Sequence, residues 1–195
     1  MKELEDRIRK EGRVFPGNIL KVDSFLNHQV DIKLLDDIGN EFYRLYKFAG
    51  VTKILTIEAS GIAIASMTAY HFQVPFVFAK KAHSANLGKN VYTSTVHSYT
   101  YNKDYPITIS QDYLNERDTV LIVDDFLANG KAAEGLLDIC KQAGAKVAGI
   151  GICVEKGFQT GGKELRDKGV RVTSLAIIDS MSDHDLTFRS HVTEQ

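Results

Sequence analysis

Cysteine is scarce in this 195-residue chain, and so is excess charge of either sign. The two cysteines, Cys140 and Cys153, sit in apolar patterns with no cysteine or histidine nearby at metal-ligand spacing. That argues against a zinc site and predicts two buried free thiols. Lysines and arginines number 24 against 25 acids, a formal net charge of −1. No global basic field therefore directs the chain to nucleic acid or to a membrane surface. No apolar run approaches the ~20 residues of a membrane helix. The opening MKELEDRIRKEG is charged throughout, unlike a secretory signal. Internal repeats and low-complexity segments are missing too. What remains, with 44% apolar and 25% charged residues, reads as one cytoplasmic α/β domain over 1–195, large enough for its own core.

Periodicity places the elements. Residues 1–11 predict a short charged amphipathic helix ended by Gly12. Residues 13–31 read as mostly irregular, with Pro16-Gly17 as a turn. Leu34, Leu35, Ile38, Phe42 and Leu45 repeat at helical spacing up to Gly50. Strands and helices then alternate: strand 53–57, helix 62–72, strand 75–79, strand 119–125, helix 131–144, strand 147–155. Such alternation predicts a parallel sheet flanked by helices. Unbroken apolar runs such as LIV fit strands buried on both faces. Residues 80–111 interrupt the rhythm with a polar start and an alternating VYTSTVHSYT. They predict an inserted antiparallel hairpin with a mobile tip. The core spans about 37–155, and residues 1–36 and 156–195 would form a small hood.

Two strand ends carry unusual loops. In TIEASG, Ala59, Ser60 and Gly61 separate a strand from a helix N-terminus. Small residues there let backbone N–H groups approach an anion, although an ordinary tight turn reads the same way. In VLIVDDFLANGKA, Asp124 and Asp125 follow a buried strand. Ala128, Asn129, Gly130, Lys131 and Ala132 then lead into a helix, again an anion site by geometry. Neither the triphosphate P-loop nor the dinucleotide glycine fingerprint is present. Paired acids can hold vicinal sugar hydroxyls, and Mg²⁺ through water, beside a loop that takes phosphate. Together they suggest a sugar phosphate. The six histidines are scattered without an acidic or cysteine partner at telling spacing, and Tyr92, Tyr99, Tyr101 and Tyr105 read as hairpin or interface packing.

VLIVDDFLANGKA resembles the phosphoribosyl-diphosphate (PRPP) signature of the type I phosphoribosyltransferases. TIEASG stands where that family has its diphosphate loop, and the insertion near Lys80-Lys81 where it has its catalytic loop. The flanks LKVDSFLNHQVD and VEKGFQTGGKEL resemble the xanthine group of that family. The resemblance implies a purine-salvage transferase with Asp124 and Asp125 at the reacting sugar. Ala128 to Ala132, with Ala59, Ser60, Gly61 and Lys81, would hold PRPP. Leu20, Asn27 and Lys156 would contact the base. Mg²⁺ would be held mainly by PRPP, through water to Asp124 or Asp125. Hypoxanthine–guanine enzymes carry an acid where this chain has Ala128, and the wider family a threonine where it has Asn129. Both departures agree with the xanthine group. Guanine or adenine transfer, or a non-catalytic PRPP-sensing regulator, remain as alternatives. The apolar side of the hairpin suggests a homodimer.

Overall fold

The computed structural model describes residues 1–81, 90–98, 103–182 and 185–189. The chain opens with helix α1 (Lys2–Glu11), whose Leu4 and Ile8 are fully buried. Helix α2 (Ile32–Tyr46) starts at Asp31, whose carboxylate accepts from Leu34 N at 3.1 Å and from Arg7 at 2.6 Å. One N-cap residue thus starts a helix and ties it to α1.

Strand β3 (Lys53–Ile57), helix α3 (Gly61–Phe72) and strand β4 (Phe76–Ala79) follow as expected. Beyond the insertion come β7 (Thr119–Leu127), α4 (Lys131–Gln142) and β8 (Lys146–Lys156). Residues on alternate sides of β7 serve two cores, as the pleat requires. Leu121 and Val123 pack with α2 and α3 residues, whereas Val120 and Ile122 pack with Leu136 and Ile139 of α4. Burial on both faces explains the continuous apolar runs. Cys140 and Cys153 are free and buried, and burial pushes the Cys140 thiol up to about 12.

Two regions carry more order than the pattern predicts. Residues 13–31 hold an antiparallel pair, β1 (Arg13–Phe15) and β2 (Ile19–Lys21), and one π-helical turn at Asp23–Asn27. Strands of three residues are too short to show an alternation, so burial of Leu20, Phe25 and Leu26 defines this segment instead. After residue 155 come α5 (Gly161–Asp167), β9 (Val172–Ser182) and β10 (Asp185–Phe188). The main sheet runs β10-β9-β8-β7-β3-β4, parallel except for β10, which pairs antiparallel with β9 at the edge. It is a mixed sheet rather than a wholly parallel one.

The insertion forms the expected hairpin, β5 (Val91–Ser98) with β6 (Lys103–Ser110), as a separate two-stranded sheet. Lys80 and Thr108 exchange backbone hydrogen bonds of 3.0 and 2.9 Å at its neck. Val96 and Ile107 seat the hairpin on α4 over Gly135, where a Cβ would meet Val96 Cγ2 at 2.7 Å. The hairpin tip and residues 82–89, which include His83, lie outside the described residues.

Candidate active site

Sheet order fixes where chemistry belongs. From β3 the chain moves outward to β4, and from β7 it moves the other way to β8 and β9. The reversal leaves a crevice between the carboxyl ends of β3 and β7, the usual ligand site of an open α/β sheet. The loops TIEASG and DDFLANGKA leave from those two strands.

Asp124 and Asp125 sit at this crevice with different neighbours. Asp124 faces a cavity of about 220 Å³ shared with Ala128 to Ala132 and with His97 and Tyr105 of the hairpin. Its Oδ1 accepts from Asp125 N at 3.0 Å. Burial, then the charge of Asp125, raises its carboxyl well above the usual range. Asp125 is only 7% exposed and its Oδ2 accepts from Asn27 Nδ2 at 2.8 Å. The pair therefore spans the site, one acid toward the 128–132 loop and the other toward the 13–31 segment.

The 128–132 loop is held from behind. Gly130 adopts φ +80, which opens α4 and aims its first N–H groups at the cavity. Asn129 Oδ1 accepts from Lys131 N at 3.3 Å, and the Lys131 ammonium folds onto Glu134 at 2.7 Å. Gly161 N donates to Ala128 O at 3.2 Å. An added Cβ on Gly161 would meet Gly130 N at 2.4 Å and Ala128 O at 2.5 Å, so glycine alone fits there.

The opposite wall is the 58–61 loop. The Glu58–Ala59 peptide is cis. Glu58 Oε1 accepts from Lys81 N at 2.6 Å, which anchors the start of the insertion to this loop. Lys81 Nζ lies 5.6 Å from the centre of the Tyr105 ring. Gly61 is buried at the start of α3, close to Thr56 and Asp124.

Of the three residues that the resemblance assigns to the base, Asn27 reaches the acid pair. Asn27 touches Asp125, as above. Lys156, half-buried at the end of β8, donates to Asn18 O at 2.8 Å and lies 5.8 Å from the Phe126 ring centre. Burial lowers its pKa. Leu20 is buried in β2, two residues beyond Asn18. The segment carrying Leu20 and Asn27 thus meets the ends of β7 and β8 through side-chain contacts at Asn27 and Lys156.

Several site neighbours escaped the sequence reading. His97 does have an acidic partner: Asp104 stands opposite it in the hairpin register, with Nδ1 to Oδ1 at 2.6 Å. Phe126 lies beside Lys156, and nothing in its local pattern separates it from a core residue. Glu155 is buried and takes two hydrogen bonds from Arg166 at 2.8 and 2.7 Å, plus one from Ser174 Oγ. Burial pushes the Glu155 pKa up, but Arg166 and Ser174 outweigh it and hold the carboxyl below its usual value. This ion pair fixes α5, hence Gly161, against the strand end that carries Lys156.

Among the described residues no three His, Cys, Asp or Glu side chains gather as a metal cage. Two adjacent carboxylates suit a Mg²⁺ ion most of whose ligands come from phosphate and water.

A phosphoribosyl transferase domain model matches residues 22–182, and the chain belongs to the phosphoribosyltransferase family. Among curated proteins it is 57% identical to a xanthine phosphoribosyltransferase of Ruminiclostridium cellulolyticum, over 96% of this chain and 99% of that protein. It is also 57% identical to the xanthine phosphoribosyltransferase of Bifidobacterium adolescentis, covering 97% of this chain and all of the other. Among solved structures, adenine phosphoribosyltransferase from Giardia lamblia with 9-deazaadenine superposes at TM-score 0.74 and 25% identity, covering 89% of this chain and 96% of that one. The Saccharomyces cerevisiae adenine enzyme gives 0.72 at 21% identity, over 90% and 99% of the two chains, and shares the fold.

Proposed function

We propose that this chain transfers the 5-phosphoribosyl group of PRPP to xanthine, giving xanthosine 5′-monophosphate and diphosphate. The observation that carries the proposal is Asp124 sharing one cavity with the Ala128–Ala132 loop, with Gly61 of the neighbouring loop close to the same carboxylate. A 5-phosphate on the α4 N-terminus leaves the sugar hydroxyls beside the two carboxylates. The diphosphate then meets the backbone N–H groups of Ala59, Ser60 and Gly61, with Lys81 above. As the C1′–O bond breaks and a C1′–N bond forms, positive charge grows on the ring, and Asp124 and Asp125 stabilise it electrostatically. Mg²⁺, when bound with PRPP, neutralises charge on the leaving diphosphate.

The base side favours an oxopurine. The ammonium of Lys156 only donates, which suits a 6-carbonyl and disfavours the 6-amino group of adenine. Asn27 can donate an amide hydrogen to the 2-carbonyl of xanthine. Leu20 packs on the purine. Near-full-length similarity to xanthine enzymes supports the same choice, whereas likeness to the adenine enzymes lies at 25% identity or below.

The reading places the whole chain in one transferase domain with a hood, working in the cytoplasm as a homodimer. Apolar side chains such as Tyr113, 61% exposed beside the hairpin, support the dimer. A dimeric mass in light scattering is expected, and a monomer at working concentrations removes that part. The main experiment is a steady-state assay with PRPP and Mg²⁺ against xanthine, guanine, hypoxanthine and adenine. Xanthine should show the highest kcat/KM. No nucleotide from any base overturns the enzyme reading, including in favour of a PRPP sensor. Equal turnover of hypoxanthine and xanthine overturns the specificity.

A further inference from the structure

Thr56 is the penultimate residue of β3, directly before the 58–61 loop. Its side chain is fully buried, yet among the described residues its hydroxyl oxygen has no hydrogen-bond partner. Leaving a hydroxyl so placed costs stability, and valine has nearly the same shape without that cost. The surroundings show what the hydroxyl faces. The point where a Gly61 side chain would begin lies 1.9 Å from Thr56 Oγ1 and 3.1 Å from Asp124 Oδ1. The hydroxyl thus occupies the space that a Gly61 side chain would take, and the Asp124 carboxylate borders the same space. Among the described residues, Asp124 Oδ1 accepts one hydrogen bond, from the backbone of its own neighbour, Asp125 N at 3.0 Å. A carboxylate oxygen has room for a second donor.

We propose that Thr56 is a positioning residue: its hydroxyl donates to the Asp124 carboxylate when PRPP is bound, and fixes that carboxylate against the sugar. The inference rests on the transferase reading above, which puts Asp124 at the sugar. A turn of the carboxylate toward the hydroxyl completes the bond, and Gly61 is required because any side chain would displace the hydroxyl. The purine sits on the other side of the acid pair, so Thr56 acts on the donor half of the reaction alone.

Thr56→Val and Thr56→Ser separate this from a packing role. Each variant is compared with the wild-type chain in thermal unfolding and in steady-state kinetics with PRPP, Mg²⁺ and xanthine. Wild-type turnover is measured first, so that loss of the transferase reading is seen independently of Thr56. Expected for Thr56→Val is an unchanged or higher Tm, a fall of about tenfold or more in kcat/KM for PRPP, and an unchanged KM for xanthine, as for loss of a hydrogen bond to a charged group. Thr56→Ser should return to within about threefold of wild type. The proposal is overturned if folded Thr56→Val keeps wild-type kcat/KM for PRPP, or if Thr56→Ser is as impaired as Thr56→Val. Should valine not be accepted, Thr56→Ala deletes the same hydroxyl and is judged by the same kinetic criterion.

Discussion

Replacing Gly161 by alanine tests the phosphate loop without touching any group that meets substrate. The new Cβ would lie 2.4 Å from Gly130 N, 2.5 Å from Ala128 O and 2.5 Å from Asn129 C. All three are backbone atoms of the loop, so no side-chain rotation relieves the clash. Either α5 or the loop must retreat by about 1 Å to restore ordinary contact. Helix α5 is held by the buried Glu155–Arg166 pair, so the loop is the part that yields. Hydrogen bonds to a charged acceptor contribute about 1.5–3 kcal/mol each. Losing one or two N–H contacts to the 5-phosphate should cost about 2–4 kcal/mol of binding, roughly 30- to 1,000-fold in KM for PRPP. The KM for xanthine should stay within about threefold. Strain in the fold should add a loss of about 1–3 kcal/mol in unfolding free energy, read by circular dichroism in denaturant. A folded Gly161→Ala chain whose KM for PRPP stays within about threefold of wild type refutes the idea that Gly161 sets the loop.

Further expectations concern the acids and the base side. Asp124→Asn should abolish measurable turnover while raising Tm at neutral pH, because a carboxyl whose folded pKa is raised by burial costs stability wherever it is ionised. That gain should vanish as pH falls below the ordinary carboxylate range, and turnover retained by folded Asp124→Asn, or by the Asp124→Asn/Asp125→Asn double variant, would make the acids structural. Glu155→Gln should destabilise the fold by about 1–2 kcal/mol at neutral pH, since the buried carboxylate loses its charge-assisted bonds from Arg166, whose own side chain is 35% exposed. The folded pKa of Glu155 is depressed, so its stabilisation is present above its unfolded value of about 4.5 and lost as pH falls through the folded one; denaturant midpoints from pH 7 to 3 should show the two chains converging. Lys156→Met should raise KM for xanthine at least about tenfold with little change for PRPP; equal KM values for xanthine in the two chains refute its place at the base.

The parts of the site that were legible in the sequence are those compressed into one stretch. Strand, acid pair and phosphate loop are contiguous from Val120 to Ala132, so local pattern and the physics of helix N-termini suffice. The 58–61 loop is legible for the same reason. The rest depends on contacts between distant segments. Asn27 meets Asp125 across 98 positions of chain, and neither residue's neighbours announce it. Gly161 matters because of what stands behind it, and a glycine pair before a short helix looks like any cap. His97 and Asp104 become partners only once the hairpin register is known, seven residues apart across the tip. In the fold, β1 and β2 were missed because three residues cannot display a period. The edge strand β10 is as short, at four residues.

The bond between Asn27 and Asp125 makes the two halves of the site thermodynamically dependent on each other. On the proposed function, one carboxylate serves both the sugar hydroxyls and the amide that flanks the purine. Sugar hydroxyls that draw on Asp125 loosen its hold on Asn27, and the amide is then freer to turn to a base. Linkage is reciprocal: a purine that engages Asn27 releases Asp125 to the sugar by the same factor. Cooperation between donor and acceptor thus needs no domain movement, only the sharing of a single hydrogen-bond acceptor 2.8 Å from a side-chain amide.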